Sequence, residues 1–527
     1  MPATACEFES HSAHTYHKSL NSEFKINIMK ILSSEQIRIV DAETIKKEGI
    51  SSLELMKRAA TAFYNWFIEN YSNKHTSILI FSGIGNNGGD GLVFARLLHK
   101  SGYNVKVCLV EYNENYSEDC AHNLRRVKAE KIPLKKIFNA DLIPDISKFD
   151  VIIDGVFGTG LSREVKGVAA DVIQLINSSR KPVISIDVPS GLFLDRQTSF
   201  AVKASETVTF QIPKIALYLP ENQLFTGNVT VVDIGLNEQA IDETESDIFF
   251  IQKKDISPLI KPLSKFAHKG TQGHSLLIGG SLGKIGSVCL ASKAALKTGC
   301  GLITAYIPKC GMFILQNNFP EAMAIQDKNE EHITSIEYDI KPDAIGIGIG
   351  LGNHSETEEA IHKFLRNNNT PLIVDADGLN ILSRNKKWIS LLSPNSILTP
   401  HPKELSRLIG NWSDDFDKIQ KTRQFAQKYN LIVIVKGAYT LIIDSEKIYV
   451  NSSGTPALAT AGSGDVLTGI LTSLLAQGYS SLEAAKLGVY IHGLTADLKK
   501  NSIHSKAFIA SDIIDTIGDA YFYLEEI

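Results

Sequence analysis

Gly462, Gly464 and Asp465 stand together in GTPALATAGSGDVLTG (454–469), directly before the apolar run VLTGILTSLLAQG. A glycine-rich turn that opens into a helix leaves several backbone N–H groups unpaired and pointing one way. Those donors and the positive helix end suit a phosphate. A carboxylate among them repels that ligand, unless it takes a proton from whatever attacks the phosphate. The spacing therefore predicts phosphoryl transfer to a hydroxyl with Asp465 as base. A helix start capped by Ser463 or Asp465 is the plain alternative.

The first half holds three further polar turns. Gly83, Gly85 and Gly88 form G-x-G-x-x-G, with Glu111 ending the next strand, a passable dinucleotide fingerprint. Asp90 argues against that use, because it falls in the first helical turn where a pyrophosphate would rest. Asn86, Asn87 and Asp90 better suit a sugar, an amide or a cation. The other two turns are DGVFGTGLSRE (154–164) and DVPSG (187–191). Each alone reads as a strand–helix turn that needs glycine for positive φ and Asp or Ser as a cap. Leaving neighbouring parallel strands together, the three converge on one pocket.

The elements that must position these residues are legible from apolar period. Residues 33–67 carry apolar side chains at three- and four-residue spacing, with Ser33 or Ser34 as cap and Gly49 dividing two helices. SILIF (77–81) reads as a buried strand, followed by GIGNNGGDG, the helix GLVFARLLHKSG and the strand NVKVCLVE. This is a β–turn–α–β unit and implies a parallel sheet. Strands follow at 151–154, 183–187, 207–210 and 229–235. Asp154 and Asp187 end the first two, where ligands of open α/β sheets bind. LNEQAIDETESD (236–247) is charged and poor in large apolar residues, so the domain boundary falls there. A second series of strands begins at 274–281 and runs through 302–308, 344–350, 371–377, 396–400 and 431–437, with a hairpin over 440–451. The organisation is an extension over 1–28, one α/β domain over 29–240 and another over 241–527.

A chain of 527 residues is too long for one ordinary core. The net charge of −4, without a long basic run, argues against nucleic acid or an anionic membrane as partner. Six scattered cysteines without a C-x-x-C pair indicate a reducing compartment, the cytoplasm, and give no zinc signal. No apolar run approaches the roughly 18 residues of a membrane span. Residues 1–28 lack the apolar core of a signal peptide, and Glu7, Glu9 and Glu23 disfavour a transit peptide. His11, His14 and His17 read as a metal tract or as part of a disordered extension, with Met29 a candidate start.

The helices over 33–60 together with GNNGGDG, DGVFGTGLSRE and DVPSG resemble the NAD(P)H-hydrate epimerase family. The resemblance implies a Rossmann-like three-layer domain that binds hydrated nicotinamide nucleotide and a potassium ion. It implies substrate contacts from Asn86, Asn87, Gly88, Gly89 and Asp90, and from Gly158, Thr159, Gly160, Leu161, Ser162, Arg163 and Glu164. Asn87, Asp154 and Ser190 would hold the cation, and Asp187 would be the catalytic acid/base and touch the substrate. C6 of the hydrated ring bears oxygen and nitrogen, so hydroxide loss gives a flat cation open to water on both faces. One carboxylate that donates and then accepts a proton is enough for that chemistry, and an oxygen-rich site suits a hard cation.

HKGTQGHSLLIGGSLGKIG, GIGIGLG, VDADGLN, TPHPKE, KGAYT and the GSGD run occur in that order. Together they resemble the ADP/ATP-dependent NAD(P)H-hydrate dehydratases, which implies a ribokinase-like α/β domain. The two halves in tandem resemble the fused bifunctional repair enzymes taken to use ADP. The resemblance implies that Lys436, Gly437, Ala438, Tyr439, Thr440 and Gly464 bind the adenylate part. Gly352, His401 and Asp465 would face the hydrated substrate, with Asp465 catalytic. Glu404 would belong to a magnesium–water network. The implied substrates are NADHX, NADPHX and ADP, and the implied state is an assembly of like subunits. Asp465 would deprotonate the C6 hydroxyl, the oxygen would attack the terminal phosphate, and the ring would expel the phosphate ester to restore NAD(P)H. Two departures accompany the resemblance. Gly286-Ser287-Val288 stands where the family reads G-A-A, and Ala457-Leu458-Ala459-Thr460-Ala461-Gly462 where it reads G-M-A-T-G-G. A glycine lost beside the anion site narrows the loop's conformations. Two other readings stay open: a small-molecule kinase of the thiazole or pyridoxal type, which shares the GSGD loop, and a first domain that binds without catalysis.

Overall fold

The computed structural model describes residues 28–526. The expected extension, with its three histidines, lies outside the described residues, Ile28 apart. The chain opens with strand β1 (Met29–Lys30) and helices α1 (Ser34–Glu48) and α2 (Ser52–Asn70). Ser33 caps α1 in a reciprocal box with Gln36, and Gly49 closes that helix in the left-handed conformation.

The first sheet contains β2 (Ser77–Ser82), β3 (Asn104–Val110), β4 (Leu134–Ile137), β5 (Val151–Gly155), β6 (Val183–Ile186), β7 (Glu206–Phe210) and β8 (Asn228–Val232). Their order is β4-β3-β2-β5-β6-β7-β8, and every pairing is parallel. Helices cover both faces, so the central strands read as unbroken apolar runs, and Ile78, Leu79, Ile80 and Phe81 are fully buried. Strand order reverses between β2 and β5, so the loops after these two strands leave a crevice between them.

Helix α3 (Asn86–Lys100) starts five residues before the expected helix at Gly91. Gly88, Gly89 and Gly91 thus lie inside its first turns, where they serve close packing. A Cβ on Gly88 would fall 2.0 Å from the Gly83 carbonyl oxygen, and one on Gly91 would fall 2.7 Å from Ser82 Oγ.

The second sheet contains β9 (Ile248–Ile251), β10 (His274–Ile278), β11 (Leu302–Ile307), β12 (Met323–Gln326), β13 (Ala344–Ile347), β14 (Leu372–Val374), β15 (Ile397–Leu398), β16 (Ile432–Val435), β17 (Leu441–Ile443) and β18 (Ile448–Asn451). With β1 the order is β1-β9-β18-β17-β16-β15-β14-β13-β10-β11-β12. The β17–β18 hairpin is antiparallel, and Asp444 Oδ1 accepts from the Glu446 and Lys447 amides in its turn. The chain here reverses order between β10 and β13, giving a second crevice.

Within the charged stretch 236–247 the structure places a short helix, Glu238–Glu243, capped by Asn237, with Ala240 buried against α1 and α2. The change of sheet comes after it, at β9. β1 crosses that division, because Met29 and Lys30 pair antiparallel with Phe250 and Phe249 of the second sheet. No helix of the described residues is long and apolar enough to cross a membrane.

Two candidate active sites

At the first crevice, the turn after β6 carries Asp187, whose φ of +65° is rare for a residue with a side chain. Its Oδ1 accepts from Lys214 Nζ at 2.7 Å, Thr209 Oγ1 at 3.0 Å and the Phe210 amide at 3.1 Å. Its Oδ2 accepts nothing among the described residues. Lys214, only 2% exposed, also donates to Thr209 Oγ1 and the Phe210 carbonyl. An ammonium buried this deeply is retained only where its charge is met, and Asp187 meets it.

Asp187 and Lys214 line a cavity of about 880 Å³ together with Asn86, Asn87 and Asp90 of α3 and the loop Val156–Lys166. Helix α1 closes one wall with Ile37, Arg38, Asp41 and Ile45. Burial pushes the Asp90 carboxyl well up, helped by the nearby Asp187, Asp41 and Asp119. Burial, then the Asp187 charge, raises Asp41 to about 6, against the lowering effect of Lys214.

Beneath the loop lies an oxygen-lined nest. Asp154 is fully buried, and burial raises its carboxyl while its hydrogen bonds oppose the shift. Its Oδ2 accepts from Ser185 Oγ and the Ser190 amide, both at 2.8 Å, and its Oδ1 from Ser190 Oγ. Asn87 Nδ2 donates to the Phe157 carbonyl at 2.8 Å, which leaves Asn87 Oδ1 buried without a partner. An orphaned buried acceptor beside a carboxylate, a hydroxyl and a carbonyl fits a hard cation.

At the second crevice Asp465 is the third residue of the helix Ser463–Ala476, whose N-cap Gly462 has φ +83°. Burial raises Asp465 to about 6, against a hydrogen bond from Ser287, with Asp375 and Asp377 raising and Lys436 lowering it further. Lys436 Nζ donates to Asp375 Oδ1 at 2.8 Å, and Thr468 Oγ1 donates to Asp375 Oδ2 at 3.0 Å. His492 Nε2 lies 3.0 Å from the Ser463 carbonyl oxygen, and burial depresses its imidazole to about 4, so it is neutral near pH 7.

His401 is the N-cap of the helix Pro402–Ile409, its Nδ1 accepting from the Lys403 and Glu404 amides while Glu404 Oε2 accepts the His401 amide. Glu404 is buried, and burial raises it. Gly352 has φ +80°, and its amide donates to Asp377 Oδ2, which also takes Lys284 Nζ. Tyr439, at φ +51°, holds the turn Lys436–Thr440 in a conformation that favours glycine. The departures from the family run leave this geometry intact. Gly462 has positive φ, while Ala457 and Ala461 do not.

The structure thus gathers Asn86, Asn87, Asp90, 158–164 and Asp187 at the first crevice, and Asp154 and Ser190 beneath it. Gly88 and Gly89, expected to touch the substrate, do not line the cavity: they pack inside α3 against the Gly83 main chain and Met56. At the second it gathers Lys436 and Gly464 around Asp375 and Asp465, with Gly352 hydrogen-bonded to Asp377 and His401 to Glu404. Asp41, Lys214, Asp375, Asp377 and His492 are not singled out by sequence reasoning, and Ser287 enters it only as a departure from the family run. Asp375 and Asp377 lie in VDADGLN, where two acids after a strand were the available signal. Lys214 follows an ordinary strand in QIPKIAL, and no local pattern marks it.

A family described as YjeF-related protein N-terminus matches residues 52–216, and one described as NAD(P)H-hydrate dehydratase matches residues 275–518. The bifunctional NAD(P)H-hydrate repair enzyme Nnr of Coxiella burnetii is 34% identical over 497 residues, 92% of this chain and 97% of its own. The protein of the same name from Moorella thermoacetica is 31% identical over 517 residues, 94% of this chain and 98% of its own. An ADP/ATP-dependent NAD(P)H-hydrate dehydratase from Bacillus subtilis, co-crystallised with ATP and Mg2+, is 24% identical with a TM-score of 0.46, covering 52% of this chain and 98% of its own.

Proposed function

The chain belongs to the family of bifunctional NAD(P)H-hydrate repair enzymes, and we propose that each of its two crevices performs one of the two reactions. The first sheet carries the epimerase and the second the ADP/ATP-dependent dehydratase. The observation that carries the reading is the pair of acids at the two crevices. Asp187 presents a free Oδ2 to a roomy cavity, and Asp465 stands at a helix start beside Lys436.

In the epimerase, Asn86, Asn87, Asp90 and 158–164 surround the hydrated ring and its nucleotide, and Gly88 and Gly89 let α3 pack closely enough to present them. Asp187 exchanges a proton with the C6 oxygen. Potassium is part of the proposal, held by Asn87, Asp154 and Ser190, and Asn87 Oδ1 is the observation in its favour. When bound, it would supply a fixed positive charge beside these oxygens.

In the dehydratase, Asp465 takes the proton of the C6 hydroxyl, and the oxygen attacks the terminal phosphate of ADP. The amides of 462–465 and Lys436 meet the charge that develops there. The bond from that phosphorus to the AMP oxygen breaks and AMP leaves. The C6–O bond then breaks with the help of the ring nitrogen, phosphate departs, C5 loses a proton, and NAD(P)H returns. Lys436, Gly437, Ala438, Tyr439, Thr440 and Gly464 hold the adenylate, and Gly352 and His401 hold the substrate. Magnesium is usually held by phosphate oxygens with one or two carboxylates. Glu404 is the carboxylate proposed for it, and when bound it would neutralise phosphate charge. ADP in preference to ATP, a cytoplasmic setting that suits the five free thiols of the described residues, and assembly with like subunits complete the proposal.

Absorbance at the reduced-nicotinamide band tests it. Purified protein is mixed with R and S hydrates of NADH, magnesium and ADP, with ATP in parallel. Recovery of NADH from both epimers with ADP is the expected outcome. Recovery that stops once the S form is spent would overturn the epimerase assignment. No recovery with ADP or ATP would overturn the dehydratase assignment.

A further inference from the structure

A C6 epimerase must let water leave from one face of the ring and add to the other. A single carboxyl is enough where water carries its proton to the far face, but it serves directly only the face on which it stands. We propose that Asp41 of α1 is the second acid/base of the epimerase, acting on the ring face opposite Asp187. This rests on the epimerase reading of the first crevice.

Both side chains line the same cavity but reach it from different layers. Asp187 comes from the carboxyl end of β6, and Asp41 from the helix that closes the cavity wall. A flat ring between them has one carboxyl on the sheet side and one on the helix side. A half-buried carboxylate in a structural role normally finds a donor. Asp41 makes no hydrogen bond and no ion pair among the described residues, while Asp187 keeps Oδ2 free. Both therefore have acceptor capacity left for a substrate oxygen.

The charged groups that line the cavity with Asp41 are Asp187 and Lys214 from the sheet side, Asp90 from α3, its own neighbour Arg38, Asp119 from the helix Glu118–Ala129, and Arg163, Glu164 and Lys166 from the loop. Burial and the Asp187 charge raise Asp41 to about 6, so both of its forms are accessible near neutral pH, as a group that gives and takes protons needs. Asp90 is the poorer candidate. Burial, then the charges of Asp187, Asp41 and Asp119, pushes its carboxyl well up, and it stands on α3 and not on the helix that closes the wall opposite the sheet.

The step balances without an oxidant. With the proton on Asp41, the C6–O bond breaks and its electron pair leaves with the oxygen. The oxygen takes the Asp41 proton and departs as water, while the N1 lone pair forms the C6=N1 bond. A water on the other face adds to C6 and gives its proton to Asp187 Oδ2. The reverse reaction exchanges the two roles.

The test uses the full-length chain and its Asp41→Asn and Asp187→Asn variants. R and S hydrates of NADH are prepared separately with 18O in the C6 hydroxyl. Chromatography reads inversion, mass spectrometry reads loss of label, and spontaneous rates are subtracted. Dehydration of the S hydrate with ADP reports a folded chain. Inversion in both directions should fall by about 100-fold or more in each variant. Each variant should still wash label, with retention, out of one epimer, and the two variants should favour opposite epimers. Inversion at the wild-type rate in Asp41→Asn would overturn the proposal. So would inversion and label loss falling together for both epimers, since a positioning role of Asp41 on a single Asp187 predicts that. A wild-type chain that inverts neither epimer would overturn the epimerase reading, and the pairing with it.

Discussion

Asp465 is raised to about 6 chiefly by burial, while the Ser287 hydrogen bond holds it down. A base must be ionised, so the sign follows directly. Dehydration should be full above this value and should fall as pH drops through about 6. The Ser287 hydroxyl is a donor to this base. Ser287→Ala removes a bond that favours the charged form. The acid limb of the kcat profile with ADP should then move to higher pH, with epimerisation unchanged. A limb that stays in place would show that the Ser287 hydroxyl does not face the ionised Asp465. Asp465→Asn should lower dehydration by about 100-fold or more and leave inversion of the R and S hydrates at the wild-type rate. Loss of both activities in that variant would count against two independent sites.

Helix α3 reaches the first crevice only because glycine lets it approach the β2 turn. A Cβ at 88 would lie 2.0 Å from the Gly83 carbonyl oxygen and 2.8 Å from its nitrogen, both main-chain atoms that have nowhere to go. Gly88→Ala should therefore shift α3 bodily. Epimerisation should fall steeply and the first half should lose about 1–3 kcal/mol, while dehydration is kept. Wild-type epimerisation in Gly88→Ala would mean that the helix start tolerates displacement. The same glycines show how far local pattern reaches. Each expected strand is present because an apolar run buried on both faces is a local signal. Glycine in a turn and glycine in a tightly packed helix look alike in sequence, so the start of α3 at Asn86 was read as loop. Strands β1, β4, β9 and β12 escape the pattern because none is an apolar run buried on both faces, and they are defined by their partners. At the sites, Asp154, Asp187 and Asp465 were legible because each follows a strand or a glycine turn. Asp41 and Lys214 were not, since only the fold brings a helix face and a distant strand end to the same cavity.

The two halves share more than a linker. β1 adds to the edge of the second sheet, and a core cluster joins Val188, Leu192 and Leu217 of the first half to Leu398, Val433 and Leu441 of the second. Glu221 and Asp415 exchange amide hydrogen bonds of 3.0 Å across the division. At the centre of this interface Tyr218 is buried, with its ring 4.8 Å from those of both Phe250 and Tyr439. Tyr439 belongs to the turn proposed to hold the adenylate, and it keeps an unfavourable φ that persists only where neighbours over-determine it. Tyr218 is one such neighbour, four residues beyond the lysine that pairs with Asp187. The first domain thus helps to shape the nucleotide loop of the second. Tyr218→Ala should cost about 3 kcal/mol by removing a buried aromatic side chain. It should also raise KM for ADP in dehydration more than it lowers kcat, because the loop loses its preset shape and not its chemistry. Initial rates over a range of ADP at saturating S hydrate separate the two. A lowered melting temperature with KM unchanged would mean that the second domain sets its own loop, and that fusion serves only to keep both reactions on one chain.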